Sequence, residues 1–251
     1  MCPGLTDDLQ QIGDAWKTAI IDRELFQLNV DIAFLQETRL ADSSTIREAS
    51  YTFFWQLKSW DEPRQHGVGF TIKNMLIAFI EPLSSGTGRI LALRLSTSSG
   101  PVNILSVYAP TLCSILEKKH QFYEALDQVI SSIPNTKGLY LLGDFNARVG
   151  ADHEAWPTCL GSHGRGMINE NGQRLLGMCC SHSLCVTNTC FKCKEIHQVS
   201  WRHPCSHHWH QLDLVITRHT ELASVLLTRS YHSTDCDTDY SLVASKVQII
   251  P

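Results

Sequence analysis

Charge is scarce in this sequence, and positive charge is not in excess. Charged residues make up 18% of its 251 positions and the formal net charge is −4. That excludes the broad basic surface that is the usual footprint of a nucleic-acid-binding domain, so any site for a polyanion must be local. No run approaches the roughly 18 consecutive apolar residues that a membrane span requires. The opening MCPGLTDDLQ has neither a basic start nor an apolar stretch, so no secretory signal is expected. Without export, ten cysteines read as reduced thiols rather than a disulfide framework, and a nuclear or cytoplasmic setting is expected. There is no repeat of fixed period, no low-complexity tract and no linker, which makes residues 1–251 a single expected domain.

What is present is a hydrophobic content of 43%, enough for a sizeable core, arranged in two periodicities. Ala15, Trp16, Ala19, Ile20, Leu25 and Leu28 recur at helical spacing and predict an amphipathic helix from Asp7 to Leu28. VDIAFLQET then reads as a buried strand ending in Glu37. From Tyr51 to Ser106 the text is strand after strand: YTFFW, GVGFTIKN, LIAFIEPL, RILALRLS and VNILSVYAP. Phe122, Leu126, Val129, Ile130 and Ile133 mark a second helix, and GLYLLGDFN is another buried strand ending in a carboxylate. A third helix is predicted from Asn171 to His182, with NENG supplying an asparagine cap. Five further strands follow: LCVTNT, VSW, QLDLVIT, VLLTRS and SLVASKVQII. Two sheets packed face to face with helices outside suit this order.

Carboxylates and amides recur where these strands end: Glu37, then Asp144 and Asn146, then Asp213 within QLDLV and Asp239 before SLVAS. Loops leaving strand ends are where sites are assembled. Taken singly, each is ordinary turn punctuation. GDFN is harder to dismiss, because a turn-permitting glycine precedes Asp and Asn two apart, whose side chains can share one side of an extended end and hold one water. Glu37 and Asp239 are hard oxygen donors of the kind Mg²⁺ takes alongside substrate phosphate.

Six stretches in order, LQET (35–38), SVYAP (106–110), LGDFNARVG (142–150), SW (200–201), LDLV (212–215) and TDYSLV (238–243), resemble the endonuclease/exonuclease/phosphatase superfamily. Within it the chain is most similar to the apurinic-type endonuclease domain of RTE/BovB-like non-LTR (LINE) retrotransposons and to craniofacial development protein 2-like proteins. The resemblance implies an α/β fold, a four-layer αββα sandwich of two mainly antiparallel sheets, and Mg²⁺-dependent cleavage of DNA phosphodiesters, with Mn²⁺ as a substitute ion. It implies that Glu37 and Asp239 hold the metal, that Tyr108 and Asn146 contact phosphate or position water, that Asp144 is the base, and that Asp213 orients a histidine. The implied partner is duplex DNA bound by a monomer, with no membrane and no small organic cofactor.

Two departures weaken the implied activity. The family's last motif reads Ser/Thr-Asp-His, and here Tyr240 stands third. The family also opens with a strand bearing a functional asparagine in a WNV-like motif, and this sequence begins in the text that follows it, so that strand is expected to be missing. An impaired nuclease is the leading reading. A non-catalytic module binding DNA or protein is the alternative, and a phosphatase or phosphodiesterase for a small or lipid substrate ranks third. Arg39, Arg148, Arg165, Trp201 and His203 are candidate DNA contacts, although each arginine reads equally well as a solvated loop charge. Cys190 and Cys193, with the histidines that follow them, are a loose match to a zinc pattern.

Overall fold

The computed structural model describes residues 18–36, 44–56, 68–231 and 240–249. The chain divides into two compact units, Met1–Ala78 and Phe79–Pro251. The first holds helix α1 (18–27) and a four-stranded antiparallel sheet of β1 (Ile32–Gln36), β2 (Ser44–Arg47), β3 (Tyr51–Gln56) and β4 (Val68–Lys73), in the order β1-β4-β3-β2. Asp22 on α1 fastens helix to sheet: its Oδ1 accepts the N–H groups of Ser50 and Tyr51 at 3.0 and 2.9 Å. Tyr51, Phe53, Phe70 and Ile72 are fully buried. The predicted first helix is described only from residue 18, and Asp7 to Lys17 lie outside the described residues.

The second unit is organised by a six-stranded sheet. In spatial order it contains β5 (Ile80–Thr87), β6 (Ile90–Leu95), β7 (Val102–Tyr108), β8 (Gly138–Asp144), β12 (Asp213–Arg218) and β9 (Leu184–Val186). All pairs are antiparallel except β7 and β8, which are parallel and joined by helix α2 (Leu116–Ser132). A parallel pair needs such a crossover, and strands covered in this way read as near-continuous apolar runs. VNILSVY in β7 is buried at every position. Phe122, Leu126 and Ile130 of α2, with Leu175, Leu176 and Cys179 of α3 (Glu170–Ser181), pack on Leu105, Val107, Leu139, Leu141, Leu214 and Ile216 of the sheet. A short hairpin of β10 (Trp201–Arg202) and β11 (Trp209–His210) and a pair of β13 (Val225–Tyr231) and β14 (Leu242–Val247) complete the described elements.

Several predicted boundaries move, each for a polar reason. The asparagine cap expected in NENG is Asn169, accepting the Gly172 N–H at 2.8 Å, so the helix starts at Glu170 rather than Asn171. LIAFIEPL is not all strand, because residues 74–79 form a 3₁₀ helix whose Asn74 amide holds the carbonyls of Glu48 and Ala49. LCVTNT stops being strand at Val186. Thr187 donates its hydroxyl to the Val215 carbonyl and Thr189 donates back to Val186, local bonds that replace a ladder.

Candidate active site

Strand register alone gathers three of the predicted residues. Tyr108 is opposite Asp144 across β7–β8, and Asp144 is opposite Asp213 across β8–β12. They form one row across three neighbouring strands at one end of the sheet, where facing side chains lie about 5 Å apart. Tyr108 is further fixed by Arg89, which donates to its carbonyl at 3.1 Å and lies over its ring at 5.3 Å.

The chain leaves this row through a tight turn. Gly143 has φ 147° and approaches β7 so closely that a Cβ there would meet the Val107 carbonyl oxygen at 1.9 Å, which only glycine tolerates. Asn146 sits at φ 46°, in the left-handed region that asparagine enters more readily than most residues. Residues 145–149 are consequently a turn rather than the extended end predicted from GDFN. Asp144 Oδ1 accepts the Asn146 backbone N–H at 2.7 Å, and the Asn146 amide donates to the Ala109 carbonyl at 3.0 Å.

The electrostatics of the row are unequal. Asp213 has one carboxylate oxygen, Oδ2, that is buried with no hydrogen-bond partner among the described residues. Burial, and then the charge of Asp144 beside it, push the Asp213 carboxyl up to about 8, against a hydrogen bond from Ser200 that works the other way. Asp213 is thus mainly protonated at neutral pH. Tyr240 reaches the same place from the C-terminal side, its hydroxyl 3.5 Å from Asp144 Oδ2, while its backbone bridges to Trp201. That distance is at the outer limit of a hydrogen bond.

Around Trp201 the rings cluster: His210 is stacked at 5.8 Å, His203 is edge-on at 5.3 Å and Tyr240 is tilted at 6.3 Å. Burial, then Arg148, His203 and His208, lower the His210 pKa, so this imidazole is kept neutral. His203 spends its Nδ1 accepting the N–H groups of Cys205 and Ser206 at the hairpin turn. Beside the cluster, Arg148, Arg165, Met167, His208, Trp209 and His210 line a cleft of about 210 Å³.

Tyr108, Asp144, Asn146, Asp213 and Tyr240 are therefore brought together, and Arg148, Arg165, Trp201 and His203 border them in the second unit. Glu37, Arg39 and Asp239 lie outside the described residues. Cys190 and Cys193 donate to the backbone carbonyls of Val186 and Thr228, and no cluster of three or more His, Cys, Asp or Glu suited to a metal occurs among the described residues.

Sequence reading missed the amides and hydroxyls that brace the site. Ser200, fully buried, accepts the N–H groups of Leu212 and Asp213 on its Oγ, and its carbonyl accepts Ser241. Asn188 donates to the Asp213 carbonyl and accepts from Val215. Asn171 donates to the carbonyls of Asn146 and Pro110, and Asn169 accepts the Arg148 N–H. NENG was the one signal that touched the last two, as a helix entry, but nothing in its position 19 residues beyond GDFNARVG showed that its side chains reach back to Asn146 and Arg148.

Residues 13–240 match the Endonuclease/Exonuclease/phosphatase family, a span covering most of the sequence. The chain belongs to the endonuclease/exonuclease/phosphatase family. It is 26% identical over 234 residues to craniofacial development protein 2 of Bos taurus, covering 93% of this chain and 39% of that protein. It thus spans about two fifths of the length of the curated relatives it matches. Among solved structures it is similar to the endonuclease domain of TRAS1, a telomere-specific non-LTR retrotransposon, with a TM-score of 0.62, 13% identity, and coverage of 90% of this chain and 89% of that one. It is also similar to the 3′ phosphatase NExo from Neisseria, solved with a product DNA hairpin, with a TM-score of 0.66, 17% identity, and coverage of 97% and 95%. At these identities the structural likeness speaks to the fold, a mixed α/β arrangement of several sheets and few helices that matches the family's. The family implies a divalent metal: Asp144 and Asp213, paired across β8–β12, are hard oxygen donors of the kind such an ion takes, while the expected ligands Glu37 and Asp239 lie outside the described residues.

Proposed function

We propose that residues 1–251 act as one phosphodiester-hydrolysing domain of the DNA endonuclease type, related to those of LINE-like retroelements, with its hydrolytic centre impaired. The supporting observation is the buried, unpartnered Oδ2 of Asp213 in a row where Tyr240, not a histidine, faces Asp144. A carboxylate that orients an imidazole would be ionised and satisfied by it. Here burial and Asp144 favour its protonated form, and the neighbouring group is a phenol, which offers a hydrogen bond but no positive charge. Neither group supplies the positive charge that a developing phosphorane needs.

The remaining residues keep definite roles. Glu37 and Asp239 would hold Mg²⁺, or Mn²⁺ in its place, and the ion when bound supplies neutralisation of phosphate charge. Asp144 is the base for a water, held in place by the turn at Asn146. Tyr108, braced by Arg89, borders the phosphate, and Arg148 and Arg165 meet the flanking DNA backbone. This reading carries with it a monomer working on duplex DNA inside the cell, in nucleus or cytoplasm.

The test is plasmid nicking in Mg²⁺ by the chain and by Tyr240→His. Acid–base groups of this kind contribute about 10²–10⁴-fold, and the reversion should recover a measurable part of that. Robust nicking by the unaltered chain would overturn the impairment. A second reading, a non-catalytic DNA-binding module, is favoured by the Arg148–Arg165 cleft, which needs no hydrolytic centre to attract a phosphate backbone. It expects duplex binding that falls steeply with salt and is indifferent to Mg²⁺ and to Asp144→Ala.

A further inference from the structure

Behind the site, two thiols stand closer together than the proposed chemistry requires. Cys159 Sγ and Cys180 Sγ are 2.8 Å apart, with the Thr158 hydroxyl 3.6 Å from the first and 4.0 Å from the second. The two cysteines differ in access. Cys180 is exposed on the last turn of α3, whereas Cys159 is fully buried in the core and its sulfur points back to the Leu176 carbonyl. Burial pushes the Cys159 thiol up to about 12, which makes it a poor first nucleophile. Its backbone is pinned, the N–H to Trp156 and the carbonyl to Val186.

We propose that Cys159 and Cys180 form a modification site at which a hydroperoxide converts the thiol pair into a reversible disulfide. The exposed Cys180 thiolate attacks the O–O bond: S–O forms, O–O breaks, and the alkoxide or hydroxide released takes up the proton the thiol gave up, leaving as alcohol or water. The Cys159 sulfur then displaces the hydroxyl from the Cys180 sulfenic acid: S–S forms, S–O breaks, and the Cys159 proton leaves with hydroxide as water. In sum two thiols and one hydroperoxide give one disulfide, one alcohol or water, and one further water. Two electrons pass from the sulfurs to the peroxide. Closing from 2.8 Å to the bond length of about 2 Å asks for a shift of less than 1 Å.

The cross-link matters because of what lies between its ends. The closed loop contains Arg165 and Met167 of the cleft, and then the start of α3. There Asn169 and Asn171 hold the turn of Asn146 and Arg148. Oxidation thus ties together both ends of the segment that supports the site, and it does so whether or not the site hydrolyses anything.

The experiment is titration of the full chain with hydrogen peroxide, followed by alkylation, peptide mass spectrometry and thermal melting. The expected result is a Cys159–Cys180 linked peptide that dithiothreitol removes, with the melting temperature raised by roughly 5–10 °C. Cys180→Ser, at an exposed position, should fold normally and lose both the link and the gain in melting temperature. Sulfinic acid accumulating on Cys180 with Cys159 still alkylatable would overturn the proposal. So would a melting gain that survives in Cys180→Ser.

Discussion

The two ends of β12 carry an acidic and a basic residue whose polar atoms are taken from water, and the two are treated in opposite ways. At its C-terminal end Arg218 is 4% exposed, and its guanidinium donates to the carbonyls of Ile133, Pro134 and Lys137 and to the Asn135 side chain. All three guanidinium nitrogens reach an acceptor on the α2–β8 connection, which is how a fold tolerates a buried cation. At the N-terminal end, five residues away along the same strand, Asp213 keeps an oxygen with no partner among the described residues, beside a second carboxylate. The same sheet thus surrounds one buried group with acceptors and, among the described residues, leaves another with an orphaned oxygen, at the strand end where Tyr108, Asp144 and Asp213 align.

The largest effect should come from destroying the satisfied end. Arg218→Leu leaves several buried carbonyls without a donor and should cost about 3–4 kcal/mol in urea unfolding. A loss under about 1 kcal/mol would break the contrast. Next, Asp213→Asn should stabilise. Its carboxyl titrates near 8 in the folded chain against an ordinary value near 3.8, so the folded state holds a proton that the unfolded state releases. Its contribution is fully present below about pH 4 and drains away as the pH rises through 8. The variant should therefore match the parent near pH 4 and exceed it by roughly 2–3 kcal/mol at pH 8. Parallel pH profiles for the two proteins would show that Asp213 is ordinary.

Smaller effects sharpen the comparison. Asn169→Ala removes both the α3 cap and the acceptor for Arg148, and should cost about 1 kcal/mol while speeding amide exchange at Arg148. Tyr240→Phe removes a hydroxyl 3.5 Å from Asp144 Oδ2 at a residue 42% exposed, and should change stability by less than about 0.5 kcal/mol in urea unfolding.

Most of the architecture was legible in the sequence because apolar periodicity is a direct image of burial: VNILSVY, GLYLLGD and DLVITR announced the three central strands. The acids at their ends were legible for the same reason, each ending or beginning an apolar run. Their common row was not, since register is fixed by pairings between positions as distant as Asp144 and Asp213. Nor could Ser200 and Asn188 be singled out. A buried hydroxyl or amide that caps a foreign strand has the same letter as one in any surface turn.

The left-handed backbone of Asn146 has a consequence for how such a protein ages. At φ 46° the position admits asparagine, aspartate or glycine far more readily than anything else, before any chemistry is asked of it. Mutational drift at an exposed side chain is little constrained by the backbone, but at this position it meets a steric filter. The asparagine of GDFN is thus held in place by geometry alone, whatever chemistry is or is not asked of it.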